Sequence, residues 1–327
     1  MFNPQDVDLY RKGAETLVLN CANLQAGEQA ILIADPDTAA AGAFICEYAA
    51  SKGLVIEQVN VPSVGMHGME PPAEVAEKMC KAEVIFGLRK MSMAHTKARL
   101  AASERGARYL SLPDYSFAVL ASPALYVDFR ALSKQANHLA NILTAGKKAH
   151  LTTQAGTDLH LVLEGRVANS APGWCYEKGI LASPPDAEVN IPPVEHLTEG
   201  VIVVDGSIPC RELGLLLSPL KLFVEKGRVV KIEGEKADIL NQIFDRLNNP
   251  ATRVIAEFGI GLNPKAALSG NMLEDEGCLG TAHLGIGSNK TIGGQNDVPF
   301  HLDHIVRHTS IKIDNHLLMK DGVLQVG

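Results

Sequence analysis

Residues 29–35, QAILIAD, form a short apolar run with strand character, and TAAAGAFICEYAAS (38–51) follows with apolar residues at helical spacing. A second run, LVIEQV (54–59), completes a strand–helix–strand unit. AEVIFG (82–87) and RYLSL (108–112) continue the series, with a helix near 94–106 between them. Strands alternating with helices predict a parallel sheet covered by helices on both faces. The long amphipathic segment ALYVDFRALSKQANHLANILT (124–144) reads as the last helix of this half. The first domain is therefore expected to be a Rossmann-like α/β domain over 1–147.

Such a sheet raises the question of a nucleotide. The first strand runs into DPDTAAAGA (35–43), which contains neither the GxGxxG turn nor the GxxxxGK[ST] loop that cradles phosphate. No dinucleotide site is expected. His67 and His95 lie in the same half and read as ordinary loop or helix-face histidines, because no second ligand type clusters near them.

Beyond about 148 the pattern changes to alternation with a period of two. HLTTQAGTDLHLVLEGR (150–166) reads as a hairpin turning at QAGT, VIVVDGSI (201–208) as a strand, and LKLFVEKGRVVKIEG (220–234) as a second hairpin turning at EKGR. One helix, KADILNQIFDRL (236–247), interrupts the strands, and SIKIDNHLLMKDGVL (310–324) returns to them. The expected second domain, 148–327, is α+β and mostly antiparallel, with a boundary near 147 after TAGKK.

The composition suits a soluble enzyme. The chain has 327 residues, is 46% hydrophobic and carries a net charge of −7, which argues against a nucleic-acid or anionic-membrane surface. No apolar run approaches the roughly 18 residues of a membrane span. The N-terminal MFNPQDVDLYRKGAETL is acidic and helical in pattern, unlike a signal peptide. The six cysteines form no CxxC and no regular framework, so buried reduced thiols and a cytoplasmic setting are expected.

The chemistry concentrates between Glu257 and Asp303. Glu257, Glu276, His283, His301 and Asp303 stand among glycines, which allow close backbone approach and let distant side chains converge. Carboxylate and neutral imidazole are the donors of Zn, Mn, Co and non-haem Fe sites. In HLD (301–303), His301 and Asp303 face the same side if the segment is a strand. Glu257 lies among Ile255, Ala256, Phe258 and Ile260, a setting that tolerates a carboxylate only when it is paired or bound to metal. In EDEGCLGTAH (274–283), Glu274 and Asp275 read as a solvated acidic turn and Glu276 and His283 as ligands. Cys278 is a minor candidate, and His304 and His308 are expected to face elsewhere. Glu195, after the Pro-Pro turn of NIPPVEH (190–196), is unremarkable taken singly.

Together, GTDLHLVLEGR, NIPPVEH, EGVIVVDGSI, VEKGRVVKIEG, AEFGIGLNP, EDEGCLGTAHLGIGSN, IGG and HLDHIV, in that order, resemble the aminopeptidase T family of leucyl aminopeptidases, the thermophilic-type metallopeptidases. The resemblance runs from about 150 to the end. It implies two divalent metals, Zn, Co or Mn, on Glu195, Glu257, Glu276, His283, His301 and Asp303. The 2,5-dihydroxypyridine 5,6-dioxygenases look like members of the same superfamily with a mononuclear Fe(II) site. In them a histidine takes the position of Glu257, and the glutamate and histidine of EDEGCLGTAH are lost. Retention of both here favours the hydrolase.

The implied reaction is metal-assisted hydrolysis of an N-terminal residue or related small amide, with Glu195 as the catalytic carboxylate that moves the proton to the leaving amine. A mononuclear Fe(II) ring-cleaving dioxygenase is the alternative, and a non-enzymatic metal-binding protein the third reading. The expected partners are a small peptide or amide substrate and a second copy of the chain in a homodimer, with no nucleic acid and no membrane.

Overall fold

The structure is a computed structural model and describes residues 2–175 and 177–325. The chain divides into two compact units, Met1–Arg130 with Pro172–Pro185, and Ala131–Ala171 with Asp186–Gly327. The single cut expected near 147 is thus replaced by a discontinuous division. Two features of the chain account for it. The last helix of the first half occupies Phe129–Ala145, and its buried Ala136, Leu139 and Leu143 belong to the core of the second unit. The Leu181–Ala182 strand then returns to the first unit, where it pairs parallel with Arg108–Ser111.

The first unit has the expected parallel sheet. Its order is Ile56–Asn60, Ala30–Ala34, Val84–Leu88, Arg108–Ser111 and Leu181–Ala182. The two central strands, Ala30–Ala34 and Val84–Leu88, are buried throughout, as continuous apolar runs covered on both faces should be. The helix expected near 94–106 spans Lys97–Glu104, and Thr96 caps it by accepting from the Arg99 amide. The 124–144 helix begins only at Phe129, where Asp128 accepts from the Arg130 amide.

Among the described residues the second unit holds two large antiparallel sheets and a two-stranded one, Ser207–Ile208 with Gly214–Leu215. The larger has eight strands in the order Arg228–Glu233, Leu220–Glu225, Glu199–Val204, Asp158–Val162, Lys148–Thr152, Ser310–Ile313, His316–Lys320 and Val323–Leu324. The smaller has five, in the order His301–Val306, Ala282–Gly287, Ile255–Gly261, Glu188–Ile191 and Asn169–Ala171. Among the described residues no helix is long and apolar enough to cross a membrane.

The EKGR hairpin bears on the position of the smaller sheet. Its two turn residues, Lys226 and Gly227, have φ of 48° and 71°, the left-handed pair of a tight two-residue turn. The Gly227 amide donates to Thr198 O at 2.8 Å, and its carbonyl accepts from the Ile255 amide at 2.8 Å, where the Ile255–Gly261 strand begins. A Cβ at 227 would fall 1.5 Å from Glu195 O. A left-handed conformation costs a non-glycine residue about 1–2 kcal/mol, and displaced backbone adds to it. Gly227→Ala is expected to lower stability by about 3 kcal/mol, read from the urea midpoint. Gly214→Ala, at φ 57° with open space around it, should cost only about 1 kcal/mol.

Candidate metal centre

The five-stranded sheet has one apolar and one polar face, set by the two-residue period of its strands. Val189, Ile191, Phe258, Ile260, Ala282, Leu284 and Ile286 face the core of the unit. The opposite face carries Glu188 and Asn190, then Glu257, Gly259 and Gly261, then His283, Gly285 and Gly287, then His301 and Asp303. Register places a glycine beside each ionisable residue: Gly261 opposite Glu188, Gly259 opposite His283, Gly285 between Glu257 and Asp303, and Gly287 opposite His301.

These glycines provide the volume of the site. A Cβ on Gly259 would lie 1.9 Å from His283 Nε2, and one on Gly285 would lie 2.6 Å from His301 Cε1 and 2.8 Å from Glu257 Cβ. A Cβ on Gly261 would meet the Cys278 backbone, which crosses the face there. The glycine richness of 257–294 thus clears space for imidazole rings.

The donors meet in overlapping groups. His283 Nε2 lies 3.0 Å from Glu188 Oε2, at ion-pair distance though out of line for a hydrogen bond, and 3.6 Å from Glu257 Oε1. His301 Nε2 lies 3.3 Å from Glu257 Oε2 and 3.2 Å from Asp303 Oδ1. Asp186, Glu188 and Glu276 form a third group. Glu257, Glu276, His283, His301 and Asp303 are therefore brought together as the sequence suggests. Asp186 and Glu188 join them unforeseen. Their signal is the alternation of DAEVNI (186–191), in which polar and apolar residues exchange at every position along a strand.

The structure places the other candidates elsewhere. Glu195 forms an ion pair with Arg166, accepts from Asn289 Nδ2 at 3.0 Å and from the Gln295 amide at 2.7 Å, and is in none of the donor groups. Asp275 is fully buried rather than solvated, accepting from the Ser207 hydroxyl and the Ser269 and Gly270 amides. The Cys278 thiol donates to Ala266 O. His304 points to the core face, stacked beside Phe244, and burial pushes its pKa down to about 4.

Glu195 nevertheless bears on the centre through the 288–300 loop. It holds Asn289 and Gln295, while the carbonyl of Ser288 lies 2.8 Å from His301 Nδ1. A proton on Nδ1 donated to that carbonyl leaves Nε2 as the nitrogen that faces Glu257 and Asp303 and could ligate a cation once deprotonated.

The electrostatics show what the set lacks. Five carboxylates face two imidazoles, and the charged groups acting most strongly on each member are other members. Burial, then the charge of Glu188, raises the Asp186 carboxyl well above its ordinary range. Burial, then Asp303, Glu188 and Asp186, does the same to Glu276. Burial also opposes ionisation of Glu257 and Asp303, but the facing histidines outweigh it and hold both below their usual values. His283 and His301 are raised well above theirs, because the carboxylates overcome the effect of burial. Asp186 Oδ1, Glu188 Oε2 and His283 Nδ1 are buried without a hydrogen-bond partner. A divalent cation would neutralise the excess negative charge and occupy such oxygens, so the residues fit a metal.

A largely buried set of carboxylates and imidazoles on a glycine-cleared sheet, open to solvent at His301, thus fits a divalent metal. The family model for NicX, 2,5-dihydroxypyridine 5,6-dioxygenase, matches residues 13–326, across both units and every donor. The chain belongs to that family. A curated 2,5-dihydroxypyridine 5,6-dioxygenase of Pseudomonas putida KT2440 is 27% identical over 192 residues, an alignment spanning 55% of each chain, about half the relative's length. The solved 2,5-dihydroxypyridine dioxygenase of the same organism is similar over 98% of both chains, with a TM-score of 0.83 and 20% identity. AmpT of Thermus thermophilus is similar over 98% of this chain and 99% of its own, with a TM-score of 0.72 and 16% identity. At such identities the two structures speak for the fold.

These findings overturn the hydrolase reading. The likeness to aminopeptidase T lies in the shared architecture, whereas the family match and the curated relative both name a dioxygenase. Counting carboxylates misled, because one donor set suits several metals and reactions.

Two outcomes test the centre. Protons held by Asp186, Glu276, His283 and His301 to higher pH than usual must leave before those atoms ligate a cation, so binding releases protons and affinity strengthens as pH rises. Calorimetry in buffers of different ionisation enthalpy should show that release, and identical heats would remove this account of the site. Gly259→Ala should weaken metal binding at least about tenfold by displacing the His283 ring, with the chain still folded by circular dichroism. Undiminished metal content would show that His283 is not a ligand.

Proposed function

We propose that this chain is a non-haem Fe(II) dioxygenase that opens the ring of a small dihydroxylated N-heteroaromatic of the 2,5-dihydroxypyridine class. The family match over residues 13–326 carries this reading. The donor set is compatible with it. His283 and His301 flank Glu257, whose two oxygens face one imidazole each, and two histidines with one carboxylate are the usual protein ligands of oxygen-activating iron(II). Asp303, beside His301, is a further carboxylate for the same ion. Bound Fe(II) would supply the O₂ chemistry that side chains lack.

The chain's own residues have three tasks in this reading. The Ser288 carbonyl fixes the tautomer and direction of His301. The apolar strands beneath the site and the crossing 277–278 backbone limit water. The Glu276 and Asp186 carboxyls, with their raised affinity for protons, are suited to exchange a proton with an acidic ring hydroxyl.

The test is an oxygen-electrode assay on protein reconstituted anaerobically with Fe(II), its iron content verified. The expected outcome is one O₂ consumed per ring opened with 2,5-dihydroxypyridine or a close isomer, activity lost on chelation, and both iron and activity lost in His301→Ala and Asp303→Ala. No oxygen uptake across that set of substrates by fully loaded protein would dismiss the proposal.

A further inference from the structure

The eight-stranded sheet carries a second group of donors, on the hairpin Lys148–Thr152 and Asp158–Val162. His150 and His160 are direct cross-strand partners, and Asp158 precedes His160 by two residues, so all three side chains stand on one face. His150 Nε2 lies 2.7 Å from Asp158 Oδ1 and His160 Nε2 lies 3.6 Å from the same oxygen. One ligand atom from each lies within 4.8 Å of the others.

We propose that this face is a separate, solvent-open site for a divalent transition-metal ion of the zinc type, ligated by His150, Asp158 and His160. It does not depend on the reading of the buried centre. Donors of a tetrahedral zinc ion at about 2.0–2.1 Å stand roughly 3.3 Å apart, close to the spacings already present. The backbone is fixed by pairing on both sides, with Lys312 in register with His150 and Glu199 in register with His160.

One rearrangement is required. The imidazoles are stacked, with centroids 4.1 Å apart and planes inclined by 12°, so both cannot direct a lone pair at one ion without turning. That turn is about the broad χ2 torsion of histidine and leaves the strands in place.

The surroundings leave room for a fourth ligand. A cavity of about 300 Å³ is lined by Lys148, His150, His160 and Asp314, among others. The Asp314 carboxylate is engaged by the backbone amides of Lys147 and Lys148, and Glu199 accepts from the Lys226 amide, so neither competes for the ion.

The test is calorimetric titration of Zn(II) into the iron-loaded full-length protein under nitrogen. The wild type is compared with His150→Ala, His160→Ala and Asp158→Asn, each confirmed folded by circular dichroism. One binding event per chain is expected in the wild type, at least about tenfold weaker in each variant, with iron content and basal activity unchanged. Zinc binding of equal strength in the wild type and all three variants overturns the proposal. So does a wild-type affinity no better than millimolar, which would mark loose surface chelation.

Discussion

The centre depends on a register in which glycines on neighbouring strands stand opposite ionisable side chains. Sheet strands lie about 4.8 Å apart, and here a Cβ at 259 or 285 would run into the ring of His283 or His301. The absence of Cβ at 259 and 285 frees that space without loosening the strands, whose other face is filled by Phe258, Ile260, Leu284 and Ile286. The apolar face fixes the register, and the register in turn brings Glu257, His283 and Asp303 within reach of one another. A slip of one residue would send every donor into the core and every aliphatic side chain into the site.

The same arrangement concentrates charge that the chain alone does not balance. Neighbouring carboxylates repel, which with burial raises the proton affinity of Asp186 and Glu276, while the same carboxylates raise that of both imidazoles.

Much of this was legible in the sequence, for definite reasons. Strand–helix alternation announced the parallel sheet, because fully covered strands read as unbroken apolar runs such as AILIA. The EKGR turn was readable because Lys-Gly adopts the left-handed pair of a tight hairpin. The HLD and AEFGIG segments were readable because a carboxylate among aliphatic residues must have a partner. Asp186 and Glu188 escaped notice because the strand that Glu188 opens is four residues long, with Asp186 just before it, and precedes the Pro-Pro pair that drew attention to Glu195. Glu195 misled because nothing local reveals that Arg166, 29 residues away, claims its carboxylate. The boundary misled because a helix looks the same from sequence whichever core it joins. The reaction was ranked wrongly, with the ring-cleaving dioxygenase placed second to the hydrolase, since carboxylates and imidazoles serve hydrolases and oxygenases alike.

The interleaving of the two units also bears on biosynthesis. The edge strand of the parallel sheet, Leu181–Ala182, is translated only after the Lys148–Val162 hairpin of the other unit. On the ribosome the first unit therefore waits for its last strand while a foreign hairpin emerges, and the second waits for its sheet to be completed by residues near the C-terminus. Neither half is a cassette to be lifted out by truncation. Recombination at the apparent midpoint of this chain would sever a helix from its core and leave a sheet edge bare, so inheritance of the two halves as one piece follows from their topology.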